Sequence, residues 1–222
     1  MKFRVEKPFS FFPGQYCNIR INSSHNTKPR RSYSIVCTEA QNTVIEFGIK
    51  IIPHGEVSQL LQTAQIGDEV EIQGPLGNHF VWNPETHDQN APLLLIASGS
   101  GIAPLISVIR ARHSMPMHAR PETILIYSVK HSHDIAYEQE LHTLREKDTR
   151  FTYIQIVTQE PAGKASYSKR IDKELLNEEC GRFLDRIPSI YVSGSSDFVN
   201  TISNQLQALG IAPKTIYSES FI

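Results

Sequence analysis

Hydrophobic and polar positions follow two different rhythms along this chain. Up to about residue 82 they alternate: Phe3 and Val5 sit between charged neighbours, and Cys17, Ile19 and Ile21 interleave with Asn18 and Arg20. Residues 44–51 predict another strand and residues 69–72 a shorter one. Turn signals at Pro13-Gly14, Ile66-Gly67-Asp68 and Gly74-Pro75 separate them. One short helix is expected after Gly55, where Val57, Leu60 and Leu61 share a face. Short strands punctuated in this way predict an antiparallel β-barrel or sandwich.

From about residue 91 the period changes. Residues 93–97 form a continuous apolar run, as expected of a strand covered on both faces. It leads into Gly99-Ser100-Gly101 and a helical pattern through Ile109. Residues 123–127, 151–157 and 189–192 predict further strands, 134–146 and 197–209 helices, and 215–217 a short last strand. Strands alternating with helices imply a parallel sheet with right-handed crossovers. The polar, unpatterned stretch 83–90 separates the halves, so two domains are expected: an antiparallel barrel over 1–88 and an α/β nucleotide-binding domain over 89–222.

Composition narrows the function. The 222 residues, 40% apolar and 20% charged, suit two modest folded cores. Basic and acidic residues number 22 and 23, leaving a formal charge of −1, so wholesale electrostatic binding to nucleic acid or an anionic membrane is not expected. The longest apolar stretch, 92–97, falls far short of the ~20 residues a membrane helix needs. The N-terminus has no signal-peptide pattern. Cys17, Cys37 and Cys180 form no disulfide framework, which suits a cytoplasmic location, and they are too few for an all-cysteine iron–sulfur cluster. His113 with His118, and His131 with His133, fall in polar loops without the partners of a metal site, so no metal is expected.

Several short segments are suited to nucleotide chemistry, though each also has an ordinary structural reading. Gly99-Ser100-Gly101-Ile102-Ala103-Pro104 follows a strand and opens a helix, whose N-terminus offers free N–H groups to a pyrophosphate. A plain strand-to-helix turn reads the same way. Ser193-Gly194 repeats the idea after a later strand, where a small residue lets a flat ring approach, or simply caps a helix. Behind the basic Lys28-Pro29-Arg30 comes Arg31-Ser32-Tyr33-Ser34. Alternation puts Arg31 and Tyr33 on one face and Ser32 and Ser34 on the other. Arg31 can clamp a phosphate and Tyr33 can stack on a ring, against a bland reading of a solvated Arg and a half-buried Tyr. Gly55-Glu56-Val57-Ser58 starts the short helix and offers another anion site, or a simple cap.

The order of these segments says more than any one of them. Pro13-Gly14-Gln15-Tyr16, Arg31-Ser32-Tyr33-Ser34, Gly55-Glu56-Val57-Ser58, Gly74-Pro75-Leu76-Gly77-Asn78-His79-Phe80, the Gly99–Pro104 loop, Ser193-Gly194 and Glu219-Ser220-Phe221 follow one another over nearly the whole chain. This series resembles the ferredoxin–NADP reductase superfamily, without a fused iron–sulfur domain. The resemblance implies an FAD-binding barrel followed by a domain for NADH or NADPH. It implies that Arg31 binds the flavin pyrophosphate, Tyr33 stacks on the isoalloxazine, and Ser34 hydrogen-bonds near flavin N5. It assigns Gly55, Val57 and Ser58 to the flavin phosphates, Gly99, Gly101 and Pro104 to the dinucleotide site, and Ser193 and Gly194 to the nicotinamide slot. Glu219 and Phe221 are placed near the flavin face, Phe221 as an aromatic lid although Ile222 follows it.

The implied activity is an NAD(P)H-dependent flavoprotein reductase, passing electrons through FAD to a separate acceptor: a ferredoxin, a flavodoxin, an oxygenase component or a small molecule. Two alternatives stand beside it, a reductase using free flavin as substrate and a non-catalytic nucleotide-binding regulatory subunit. The family often has Cys-Gly where this chain has Ser193-Gly194, so hydride transfer is expected to quicken in Ser193→Cys. Members usually carry another strand's worth of residues before the segment resembling residues 3–16. That leaves either a barrel without its first strand, with an edge for a partner chain to cover, or a truncated sequence. Lys130 is suited to the extra phosphate of NADPH, but Thr158-Gln159-Glu160 supplies an amide and an acid where NADPH-selective relatives often have an Arg, which favours NADH.

Overall fold

A computed structural model of the protein describes residues 1–21, 29–38, 43–88, 90–186 and 188–221. Lys28, Gln89 and Ile222 lie outside the described residues. The first half contains β1 (Lys2–Arg4), β2 (Tyr16–Ile21), β3 (Arg30–Ser34), β4 (Val44–Glu46), α1 (Glu56–Thr63) and β5 (Val70–Leu76). Antiparallel pairing gives a three-stranded sheet, β3-β2-β5, and a β1-β4 pair, joined by a bridge between Ile35 and Phe47. Alternation works as the sequence implies: Cys17, Ile19 and Ile21 point inward with Tyr33, Ile45, Phe47, Val57 and Leu61 to form one core.

The strand expected over 44–51 ends at Glu46. Gly48 backs onto the second half so closely that a β-carbon built on it would lie 2.7 Å from the Ala103 β-carbon. From Gly48 to Gly55 the chain leaves the sheet and lines a cleft.

The second half runs β6 (Leu93–Ser98), α2 (Ile102–Ser114), β7 (Thr123–Val129), α3 (Glu138–Lys147), β8 (Phe151–Val157), α4 (Lys173–Leu184), β9 (Ser189–Ser195), α5 (Ser196–Ala208) and β10 (Ile216–Phe221). The five strands are parallel, in the order β10-β9-β6-β7-β8. The continuous apolar runs follow from this position. Leu93, Leu95 and Ala97 face α2, while Leu94 and Ile96 face α4 and α5.

In this half, three elements differ most from expectation. Helix α4 was not anticipated; Asp172 caps it, its carboxylate accepting the Leu175 N–H at 2.8 Å. Helix α3 starts later, after Tyr137 in a left-handed conformation (φ 60°). Strand β10 is longer, held by β9 along its whole length. His113 lies in the last turn of α2 rather than in a loop, and its ring stands 3.4 Å from the buried Asp148. Arg112 and Arg120 donate to that carboxylate at 2.7 and 3.1 Å.

The first half is tied to the second just before the linker. Phe80 and Trp82 bury into the core of the second half, and the Tyr191 hydroxyl donates to the Val81 carbonyl at 2.9 Å. No helix of the described residues is long and apolar enough to cross a membrane.

Candidate functional site: a cleft between two domains

The sheet order locates the site. From β6 the crossovers step outward to β7 and β8, then return to β9 on the other side, so the chain diverges between β6 and β9. Ligands of open α/β sheets bind at the carboxyl ends of strands at such a point. Here those ends are the Gly99–Gly101 turn before α2 and the Ser193–Ser195 end of β9.

The glycines there do different jobs. Gly101 packs on the Ser193 carbonyl and Gly194 on the Ser98 hydroxyl, and neither has room for a β-carbon. These two interlock the loops. Gly99 has φ +51° and open space around it, and its carbonyl accepts the Tyr127 hydroxyl at 3.0 Å. It is the glycine left free for close approach. Pro104 is buried in the first turn of α2, where its missing N–H costs nothing, and its carbonyl accepts the Ser107 hydroxyl at 2.7 Å.

Beside this edge a cleft of about 600 Å³ opens between the halves. The first half contributes Arg31, Tyr33, Ser34, Gly55, Val57 and Ser58, and the second contributes Ser100, Ala103 and Phe221. Strand β3 presents its residues through its register on β2. Arg31 and Tyr33 pair with Ile19 and Cys17, and the Ser32 hydroxyl donates to Asn18 at 2.7 Å. Tyr33 packs into the core of the first half, and burial raises its pKa.

Helix α1 aims its start at the cleft. The Gly55 N–H is spent on the Ile52 carbonyl at 2.9 Å. The Ser58 hydroxyl donates to the Gly55 carbonyl at 3.1 Å and accepts from the Ile52 N–H at 3.2 Å. The side chain of Ser58 therefore knits the turn; what α1 offers a ligand is its first-turn N–H groups, which have no intrahelical partner, and its dipole.

Among the described residues, five buried side-chain polar atoms lack a hydrogen-bond partner, and three of these are Ser34 Oγ, Ser193 Oγ and Glu219 Oε2. Buried polar groups are nearly always satisfied, so orphans need a reason. Ser193 and Glu219 pair in register on adjacent strands, and burial pushes the Glu219 carboxyl up to about 7. Ser34 lies at the cleft, and Ser193 and Glu219 lie on the sheet edge next to it. The donor set suits a flavin dinucleotide: a cation, an aromatic face, an open helix N-terminus and an unspent hydroxyl.

Of the residues expected from the sequence, Gly99, Gly101, Pro104, Ser193, Gly194 and Glu219 do not line this cleft; they cluster along the sheet edge next to it. Gly48, Lys50, His54, Ser100 and Ala103 line it and were missed. The available signals were the Gly99–Pro104 motif, which contains Ser100 and Ala103, and a glycine inside an alternating pattern at Gly48. No group of three or more His, Cys, Asp or Glu among the described residues is placed to hold a metal.

Comparison with known proteins agrees with this geometry. Residues 1–81 match the family model of the oxidoreductase FAD-binding domain, and residues 95–204 that of the oxidoreductase NAD-binding domain. The chain belongs to the oxidoreductases that join an FAD-binding domain to an NAD-binding domain. Among its relatives in this family is the toluate 1,2-dioxygenase electron transfer component of Pseudomonas putida, 30% identical over 96% of this chain and 59% of that protein. The fold is shared with an Amycolatopsis cytochrome P450 reductase, with a TM-score of 0.83 and 24% identity over 99% of this chain and 64% of that one. It is also shared with a Neisseria gonorrhoeae ferredoxin NADP+ reductase with bound FAD and NADP, with a TM-score of 0.80 and 23% identity over 99% of this chain and 90% of that one. The chain spans 59–63% of the length of the first curated reductase relatives it matches.

Proposed function

We propose that this chain is an FAD-dependent NADH oxidoreductase that hands electrons to a separate acceptor, a ferredoxin or an oxygenase component. The observation that carries this reading is the cleft in which Arg31, Tyr33, Ser34 and the start of α1 face Ser100, Ala103 and Phe221. Bound there, FAD would supply the exchange between the electron pair of one hydride from a nicotinamide and single electrons for the acceptor.

The residues have positional work. Arg31 and the first-turn N–H groups of α1 hold the flavin pyrophosphate. Tyr33 turns its remaining ring face to the isoalloxazine. The Ser34 hydroxyl, buried and unspent, hydrogen-bonds at flavin N5. Phe221 covers the opposite face and yields to the nicotinamide. Gly99, Gly101 and Pro104 shape the loop that receives the dinucleotide, and Ser193, Gly194 and Glu219 line the nicotinamide slot. The division of labour follows domains of 1–88 and 89–222.

NADH is favoured by Glu160, which lies just beyond β8 and accepts the Ser132 N–H at 2.7 Å. That bond, with His131 nearby, holds its carboxyl below the usual range. An ionised acid there suits a ribose 2′-hydroxyl and repels a 2′-phosphate. A cytoplasmic setting fits the three free thiols.

The test is the spectrum of the purified, FAD-loaded chain under anaerobic conditions. NADH is expected to bleach the flavin band faster than NADPH, and the reduced protein to reduce an added ferredoxin. Failure to retain or reduce flavin overturns the proposal. Turnover of flavin that is never retained selects the free-flavin alternative.

A further inference from the structure

Helix α2 runs along the seam between the two halves. Ala103, Ser107 and Arg110 recur at helical spacing on one of its faces. Each touches the first half. Ala103 fills the space a Gly48 side chain would need. The Ser107 hydroxyl accepts the Gly14 N–H at 2.8 Å. Arg110 does most: its NH1 donates to the Val36 carbonyl at 2.8 Å and to a Glu46 carboxylate oxygen at 3.3 Å.

The other side of the same guanidinium grips α3. Nε and NH2 donate to the two Glu140 oxygens, both at 2.8 Å. The group also lies 5.4 Å from the centroid of the Tyr137 ring. Tyr137 has φ 60°, a conformation that costs a non-glycine residue energy, and its hydroxyl reaches to within 3.2 Å of where a Gly48 β-carbon would sit. One planar fork, carried by α2, therefore spends its donors on one other helix of the second half, α3, and on two neighbouring segments of the first, at Val36 and at Glu46. Such geometry is directional in a way that a lysine point charge is not. Arg110 does not line the cleft, whereas Ala103, at the other end of the same helical stripe, does.

We propose that Arg110 is a positioning residue, clamping α2 and α3 to the segment of Val36 and Glu46 and so setting the distance across the cleft between the flavin-binding and nucleotide-binding halves. This rests on the hydride-transfer reading above. A misplacement of about 1 Å can cost roughly 10²-fold in rate without any change in the reacting groups.

The variants are Arg110→Met, Arg110→Lys and Glu46→Gln, the last leaving the pair with Glu140 intact. Hydrogen exchange is followed on the chain with and without FAD. The amides of Gly14 and Gly48 are expected to exchange faster in Arg110→Met, with Arg110→Lys and Glu46→Gln intermediate. In the FAD-loaded chain, the rate of flavin bleaching by saturating NADH is expected to fall by about tenfold or more in Arg110→Met. Arg110→Lys recovers part of it, while FAD retention and the half-saturating NADH concentration stay at the parent values. Unchanged seam exchange overturns the proposal, as does a rate loss that merely follows loss of bound FAD. If the parent chain is not reduced by NADH, the oxidoreductase reading fails, and the exchange measurement still decides whether Arg110 fixes the seam.

Discussion

Gly101 rests directly on the backbone of Ser193, with the carbonyl of one strand end filling the space a side chain would take on the other. Its backbone is ordinary right-handed helix, so the demand for glycine is one of room and not of conformation. Gly101→Ala is expected to push the β6 and β9 loops apart, lowering stability by about 1–3 kcal/mol. Urea unfolding measures the loss, and a nicotinamide dinucleotide should bind more weakly to the folded fraction.

The unspent hydroxyl of Ser34 gives a sharper test, because stability and function should move separately. Removing an unsatisfied buried group relieves a desolvation cost, so Ser34→Ala without cofactor should melt at the same temperature or higher. Loss of a hydrogen bond aimed at the flavin should slow its reduction by NADH about 10²-fold. Ser193→Cys is expected to act in the opposite direction on the same stopped-flow signal.

How far such residues were legible depended on whether their setting was local. Strands β6 and β7 could be read because their neighbours on both faces demand the apolar runs Leu93–Ala97 and Ile124–Tyr127. Strand β10 read short because Ser218, Glu219 and Ser220 carry no apolar alternation; its length comes from pairing with β9. Helix α4 went unread although Asp172 caps it and Leu175, Leu176, Cys180 and Phe183 form its buried face, since the irregular stretch before it gave no period to enter from. In the site, Arg31–Ser34 and Gly55–Ser58 announced themselves as motifs. Ala103 lies inside the Gly99–Pro104 motif, but its place at the cleft comes from the packing of α2 on Gly48, a contact between distant segments that no local pattern encodes.

Glu219 should give the cofactor-free fold a pH signature. Burial raises its pKa from 4.5 to about 7, so between those values the folded chain keeps a proton that the unfolded chain has released. Stability from this group therefore falls as pH rises through that window and levels off above it. Glu219→Gln should flatten the profile and stabilise the protein at pH 8 by on the order of 1–3 kcal/mol. Denaturant midpoints across pH check both the sign and the window.

Nucleotide choice should turn on the residues after β8. Gln159→Arg combined with Glu160→Ser places a cation and removes an anion near the Ser132 N–H. The ratio of kcat/KM for NADH over NADPH is expected to fall by about tenfold or more, about 1.4 kcal/mol. An unchanged ratio would place the adenosine end elsewhere.

Asp148 is almost wholly buried between Arg112 and Arg120. Asp148→Ala strands the fully buried Arg112 guanidinium and should cost about 3–5 kcal/mol, read by chemical denaturation.

The placement of α2 bears on how such reductases can be recombined. Its buried side belongs to the nucleotide half, while its Ala103–Ser107–Arg110 stripe is cut to fit Gly48, Gly14 and Val36 of the other. A hybrid joined at the linker would inherit one surface without its counterpart. Exchanging halves between relatives would then require transplanting that stripe together with the loop it faces.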